Sequence, residues 1–268
     1  METRGRGYGH WKMRPAMCWR VSIVPALGLL VAAHSVADAA DGARAGANTL
    51  TVSAAASLAD AFRTLGAAFE KTQGGAIMTF NFAASSALAE QIKQGAPADV
   101  FASADEVNMQ KVADAGELAA PARIFATNRL TIVVEPGNPQ RIASLADLTR
   151  SGLTLALAAP AVPAGKYAAE AFAKAKLAVP PASHEADVRA ALNRVVLGEA
   201  DAAIVYVTDA RAAGTRVEAV AIPDAHNVAA KYPIAVLKDA ADPKRAAAFV
   251  DFVLSSAGQA MLSELGFQ

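Results

Sequence analysis

Residues 49–105 read TLTVSAAASLADAFRTLGAAFEKTQGGAIMTFNFAASSALAEQIKQGAPADVFASAD, and the order of elements in this stretch decides the fold. Thr49 to Ala54 reads as a strand, after which Leu58, Phe62, Leu65 and Phe69 recur at helical spacing. Ser57 stands where that helix starts. Ala76 to Phe82 is the next strand, and Ala87 to Gln94 a short helix with Leu88 and Ile92 inward, ended by Gly95 and Pro97. Asp99 to Ser103 is a third short strand, and Ser103 and Glu106 have capping-box spacing before a helix running to Gly116. Strand and helix thus alternate three times. That alternation implies α/β architecture with a parallel sheet, because parallel neighbours need a crossover and a helix supplies it.

Toward the C-terminus the pattern restarts at Arg129. Leu130 to Val134 is a strand, Pro136-Gly137-Asn138-Pro139 a turn, Ser144 the start of a short helix, and Leu153 to Ala158 another strand. Helices follow over Gly165 to Lys176 and Asp187 to Leu197, the latter closed by Gly198, with strands at Ala202 to Tyr206, Val217 to Ile222 and Tyr232 to Leu237. Asp242-Pro243 forms an N-cap and first-turn pair before two last helices ending near Leu265. A second lobe explains the restart: residues 40–128 plus 229–268 form lobe 1 and residues 129–228 lobe 2, each a mostly parallel sheet flanked by helices. The cleft between them, at the carboxyl ends of the strands, is where such sheets bind ligands.

Toward the N-terminus, Arg14 and Arg20 precede an apolar run from Val21 to Ala33, and Ala37-Asp38-Ala39 has the small-x-small form of a cleavage site. Residues 1–39 therefore read as a secretory signal peptide, with Met13 or Met17 as alternative starts. The apolar run is shorter than the roughly twenty residues of a bilayer span, so stable membrane insertion is not expected. The only cysteine, Cys18, lies in this leader, leaving the mature chain without a disulfide. A disulfide-free exported protein of this size suits a bacterial periplasm, its core being large enough to need no staples. Of 268 residues, 54% are apolar and 19% charged, which excludes a disordered chain. Loss of the leader removes five of 25 basic and two of 25 acidic residues, for a net charge of about minus 3. That sign disfavours nucleic acid as a partner.

Four places share one design: Ser57, Ser85-Ser86, Ala164-Gly165 and Val188 are small or apolar residues where a helix begins after a strand or loop. A helix start offers unpaired N–H donors and the positive end of the macrodipole, and so attracts an anion without a charged side chain. The competing interpretation is ordinary N-capping, a position that strongly selects serine. Spacing alone leaves the choice open, since it does not show convergence.

Three strings carry a family resemblance: Thr51-Val52-Ser53-Ala54-Ala55-Ala56-Ser57-Leu58, Phe82-Ala83-Ala84-Ser85-Ser86-Ala87-Leu88 and Gly95-Ala96-Pro97-Ala98-Asp99-Val100-Phe101-Ala102-Ser103-Ala104-Asp105. Val162-Pro163-Ala164-Gly165, Asp187-Val188-Arg189, Ile204-Val205-Tyr206, Tyr232-Pro233-Ile234 and Gly266-Phe267 continue it to the C-terminus. Together they closely resemble the periplasmic molybdate-binding proteins of ABC importers. The resemblance implies the two-lobed type II periplasmic binding-protein fold and capture of molybdate, with tungstate as a second ligand. It implies that the oxyanion is held by Ser57 and Ser85 through hydroxyl and N–H, Ala164 and Val188 through N–H, and Tyr206 through its phenol. The molybdenum would then be bound as molybdate, with no direct metal–ligand bond and no cofactor. The expected partners are a membrane permease and its ATPase, the expected state a monomer in the periplasm. Many relatives carry a third serine where this chain has Ala84.

A site of donors alone favours a fully ionised tetrahedral dianion, because the proton of monohydrogen phosphate would find no acceptor, at a cost of roughly 1 to 3 kcal/mol. Sulfate is equally deprotonated and differs in size, so a sulfate or thiosulfate receptor is the alternative. From another class, Ser57 with His184 and an aspartate would make a periplasmic serine hydrolase, although no Gly-x-Ser-x-Gly elbow surrounds Ser57, Ser85 or Ser86. His184, Glu185 and Asp187 cluster in sequence and are expected in a solvated loop. With His226 as the one other histidine of the mature chain, they fall short of a usual closed metal site.

Overall fold

The computed structural model describes residues 48–73 and 75–268. The leader expected over residues 1–39, with Cys18, lies outside them, and the described residues all belong to one compact unit. The chain begins with β1 (Thr49–Ala55), a 3-10 turn (Ala56–Leu58), α1 (Ala59–Thr72), β2 (Ile77–Ala83), α2 (Ser85–Lys93), β3 (Val100–Ala102) and α3 (Glu106–Asp114). It continues through β4 (Arg123–Val134), β5 (Leu155–Ala158), α4 (Pro163–Lys174), β6 (Ser183–Glu185), α5 (Val188–Val196), β7 (Ala202–Tyr206) and α6 (Val207–Ala213). The last elements are β8 (Glu218–Ala221), β9 (Ala229–Val236), α7 (Pro243–Leu254) and α8 (Ser256–Glu264).

The sheet order is β2-β1-β3-β9-β4-β7-β5-β6, with β8 also on β4. The expected parallel pairing occurs where strand and helix alternate, in β1 with β2 and β3, and in β5 with β6 and β7. It fails at the centre: β9 is antiparallel to β3 and β4, and β4 is antiparallel to β7 and β8. The fold is therefore mixed α/β. β4 is the reason, since its first part, Arg123 to Arg129, pairs with β9, and its second, Leu130 to Val134, with β7 and β8. The sequence places only Leu130 to Val134 in a strand, because Arg123, Thr127, Asn128 and Arg129 obscure the apolar alternation before it.

Other differences are local. Asp105, not Ser103, caps α3: its Oδ1 accepts from Asn108 N at 2.9 Å, while Ser103 Oγ donates to that same oxygen at 3.3 Å. The carboxylate is the stronger acceptor for the helix start. Ser183 to Glu185 is not a loop but β6, whose backbone pairs with β5 and leaves the His184 side chain exposed. α6 was not foreseen, for its seven residues carry too short an apolar period. Asp242 caps α7 as expected, accepting from Arg245 N at 3.0 Å with Pro243 in the first turn.

Phe62 on α1 sits in the core between β2, β4 and α7. Its ring meets Phe80, Phe125 and Phe249 edge-on at centroid distances of 6.5, 5.7 and 6.0 Å. α7 covers β9 and α8 lies on α1, so the last helices close the layer that the first strands began. The C-terminus is tied to β4 by the pair Thr127 N to Gln268 O, 2.5 Å, and Gln268 N to Thr127 O, 3.0 Å. Among the described residues no single helix is long and apolar enough to cross a membrane, and α7 and α8 bend by 59° at their junction. Replacing Phe62 with alanine removes three edge contacts and leaves a cavity in a packed layer. Urea unfolding of Phe62→Ala should show a loss of about 3 to 5 kcal/mol, with an unchanged dependence on denaturant.

Candidate functional site

Three helix starts near the strand ends share an uncommon feature. The 3-10 turn before α1, α2 and α4 have Ala55, Ala84 and Val162 at their N-caps, none of which bonds the first turn through a side chain. Their first-turn N–H groups have no partner within the helix, as at every helix N-terminus. Elsewhere the protein caps with side chains, through Asp105 on α3, Asp242 on α7 and Ser255 on α8. Ser57 and Ser86, the candidate N-caps, are therefore not caps: each lies inside its helical turn, as does Ser85, and the caps are Ala55 and Ala84. Pro163 begins α4 without an N–H, so Ala164 and Gly165 supply the first donors there. Gly165 has a separate reason: a Cβ would lie 2.2 Å from Ala158 O and 2.3 Å from Ala159 O. Only glycine lets α4 start that close to β5.

These starts meet at one small cavity. Ala55, Ala56, Ser57, Ala84, Ser85, Ala104, Val162, Pro163, Ala164, Asp187, Val188 and Tyr206 line it, and its empty volume is about 200 Å³. The part of it that a water-sized group can occupy is only about 10 Å³, far below the roughly 300 Å³ at which pockets for drug-sized molecules begin. All five residues the sequence singled out are on its wall, brought together from four helix starts and the end of β7. Each is almost fully buried. Ser85 Oγ accepts from Ala104 N at 2.9 Å, which leaves the hydroxyl hydrogen to donate elsewhere. Ser57 Oγ lies 3.2 Å from Tyr232 Oη. Tyr206 Oη finds no hydrogen-bond partner among the described residues although its residue is only 1% exposed. Burial, and then the nearby Tyr232, Tyr167, Asp209 and Asp105, push this phenol well above its ordinary pKa. It stays protonated, a buried donor that makes at most a poor hydrogen bond to the neighbouring Tyr232 hydroxyl.

A second layer of polar groups fixes the wall. Tyr232, fully buried at the edge of Tyr206 with ring centroids 5.8 Å apart, lies within 3.5 Å of Asn128 Nδ2. Asn128 Nδ2 also donates to Thr208 Oγ1 at 2.8 Å. Asp209 Oδ2 accepts from Tyr206 N at 3.2 Å, and its Oδ1 lies 2.6 Å from Arg189 Nε. Burial raises the Asp209 carboxyl to about 6 against the opposing pull of Arg189. Tyr232, Asn128 and Thr208 do not stand out as site residues because they act through neighbours distant in the chain, and Asp209 does not because its role depends on the unexpected turn of α6. Asn128 is 104 positions from Tyr232.

The wall departs from a purely donor site in one respect. Asp187 lines the cavity, although its Oδ1 is committed to Ala190 N at 2.9 Å as the cap of α5. That capping bond uses the third N–H of the helix and leaves those of Val188 and Arg189 in the first turn. No histidine, lysine or arginine is on the wall. A serine nucleophile there would have no imidazole base. The arrangement can hold one small anion by dipoles and hydroxyls, with no cation to neutralise it.

The profile of the bacterial extracellular solute-binding protein family matches residues 50–268. Over 248 residues the chain is 43% identical to the molybdate-binding protein of Mycobacterium tuberculosis, covering 92% of this chain and 95% of that one. Among solved structures, the periplasmic molybdate-binding protein of Azotobacter vinelandii matches with a TM-score of 0.73 at 20% identity, covering 82% of this chain and 98% of that one. The sulfate-binding protein of Mycobacterium tuberculosis matches with a TM-score of 0.74 at 22% identity, covering 82% and 86%. Those two near-equal scores show the fold and select no ligand.

The unpartnered phenol yields a prediction that needs no ligand. Burying a hydroxyl without a partner costs roughly 1 to 3 kcal/mol, so the ligand-free Tyr206→Phe variant should be as stable as the wild type or up to about 1 kcal/mol more so. Chemical denaturation of both proteins after exhaustive dialysis measures this. A clear loss of stability would mean that the hydroxyl has a partner in the empty protein.

Proposed function

The chain belongs to the bacterial extracellular solute-binding proteins, and we propose that it captures molybdate, and tungstate with it, for delivery to an ABC importer. One observation carries the ligand class: four helix starts and an orphan phenol converge on a cavity of about 200 Å³ whose wall has no cation. The 43% identity to a molybdate-binding protein supports molybdate within that class. Ser57 and Ser85 donate through hydroxyl and N–H, Ala164 and Val188 through N–H, and Tyr206 through its phenol. Oxygen atoms of the ion accept all of these, so the molybdenum is reached only through them. The partners are a permease and its ATPase, the working form is a periplasmic monomer freed of its leader, and no reaction is catalysed.

The lobes follow the switch in β4. Residues 40–128 with 229–268 carry Ser57 and Ser85, residues 129–228 carry Ala164, Val188 and Tyr206, and the pairing of β4 changes partners between Arg129 and Leu130. In this reading the lobes hinge there and close on the ion, expelling water and strengthening each N–H bond to it.

Calorimetry on ligand-stripped protein tests the assignment. Molybdate and tungstate should bind alike, sulfate at least tenfold more weakly because its shorter bonds reach fewer donors at once. Tight sulfate binding without molybdate heat would replace the assignment with a sulfate receptor. Phosphate reports on Asp187, the one carboxylate on the wall, and should bind more weakly than molybdate. Ser57→Ala and Ser85→Ala should each lower affinity roughly ten- to a hundredfold, the range for a hydrogen bond to a charged group.

Affinity should stay within about twofold from pH 7 to 8.5. Serine does not titrate there, the Tyr206 phenol is pushed upward, and Asp209, raised to about 6, is already ionised. A steep change across that window in the same calorimetry would implicate a titrating ligand outside this set.

A further inference from the structure

Arg189 makes two contacts that the binding site does not use directly. Its Nη2 donates to Asp60 Oδ2 at 2.6 Å, and its Nε lies 2.6 Å from Asp209 Oδ1. Asp60 is on α1, Arg189 on α5 and Asp209 on α6. Each stands within one helical turn of a cavity residue: Asp60 three positions after Ser57, Arg189 one after Val188, Asp209 three after Tyr206. One guanidinium thus ties together the three elements that present Ser57, Val188 and Tyr206.

The two contacts differ in kind. Asp209 is fully buried, belongs with Arg189 to residues 129–228, and also holds Tyr206 N, so that half of the arrangement is internal to one lobe. Asp60 belongs to the other lobe, its side chain is 46% exposed, and its other charged neighbour is Arg63 at 3.8 Å. A separate and larger cavity, with an empty volume of about 530 Å³ and lined by Ser57, Asp60, Arg189, Thr208, Arg211 and Phe267 among others, lies beside this contact and shares Ser57 with the anion cavity. Solvent therefore borders the Arg189–Asp60 pair and not the Arg189–Asp209 pair.

We propose that Arg189 is a positioning residue whose bond to Asp60 clasps the two lobes over the captured anion, setting how long the ion is held. The inference rests on the oxyanion-capture reading and the lobe division above. Arg189 does not touch the ion, which it would overbind for release to a permease. Its planar fork holds Asp209 permanently through one edge and reaches Asp60 through another only when the lobes are shut. Lysine, a point charge, cannot serve both carboxylates in that geometry. A contact made only in the closed state stabilises that state and slows release, while leaving encounter with the open state unchanged.

Stopped-flow tyrosine emission with molybdate, on wild type, Asp60→Asn, Arg189→Lys and the double variant, separates association from release. The clasp requires Asp60→Asn to release the ion about twofold to fivefold faster, the upper part of the range for a partly exposed charge pair, with association within twofold of wild type. It also requires the double variant to release no faster than the worse single one, since both changes break one contact, and the ligand-free melting temperature of Asp60→Asn to match wild type. Release of Asp60→Asn within twofold of wild type, multiplicative effects in the double variant, or an equal drop in melting temperature with and without molybdate would overturn the clasp while leaving capture intact. If wild type binds no molybdate, tungstate or sulfate, the capture reading itself falls, and the clasp with it.

Discussion

A dianion taken out of water must be met by something, and at the proposed site neutral donors meet it, since the wall carries no lysine, arginine or histidine. The constraint on this fold is to gather enough neutral donors around one point. Helix N-termini satisfy it, because each supplies several N–H groups and the positive end of a dipole without a mobile charge. Four such starts around one cavity are the consequence, and the sheet is arranged to deliver them.

Delivery depends on strand ends. β1, β2, β5 and β7 each lead into or near a helix or turn that opens on the cavity, so Ser57, Ser85, Ala164 and Tyr206 arrive from the same end of their strands. The N-caps at three of these starts are Ala55, Ala84 and Val162, where a serine or aspartate would consume the donors the site needs. Local helix stability is given up at those points, and the surrounding apolar packing offsets it. The Ser57–Tyr232 and Asn128–Thr208 contacts then hold the wall from behind. In this arrangement Ala84 costs nothing visible: it is a buried N-cap, and the neighbouring Ser85 keeps its hydroxyl on the wall.

The Asp209 carboxyl illustrates how burial and pairing compete. Desolvation lifts it while Arg189 and the Tyr206 N–H draw it back, and the outcome is a value of about 6 for a group with no exposed surface. A buried charge pair of this kind contributes little net stability, but removing one partner is expensive, so it fixes geometry more than it adds energy. Here the fixed geometry is the start of α6 and the position of Tyr206.

Periodicity alone made the alternation of strand and helix legible, since Leu58, Phe62, Leu65 and Phe69, or the run from Ala202 to Tyr206, bury one face whatever the rest of the chain does. Helix starts with small residues were likewise visible, as was the Asp242-Pro243 start of α7. Whether Ser57 and Ser85 cap their own helices was not, because it turns on whether their hydroxyls bond back to the first turn or meet Tyr232 and Ala104 at the cavity wall. The antiparallel entry of β9 and the early half of β4 stayed hidden too, their polar residues being paired by strands about a hundred positions away. Family resemblance supplied the name of an ion, and the fold, shared equally with a sulfate-binding protein, does not choose it. What tertiary structure alone decided is convergence: donors 18 to 149 residues apart in the chain line one cavity, because the sheet places strand ends side by side irrespective of their order in the chain.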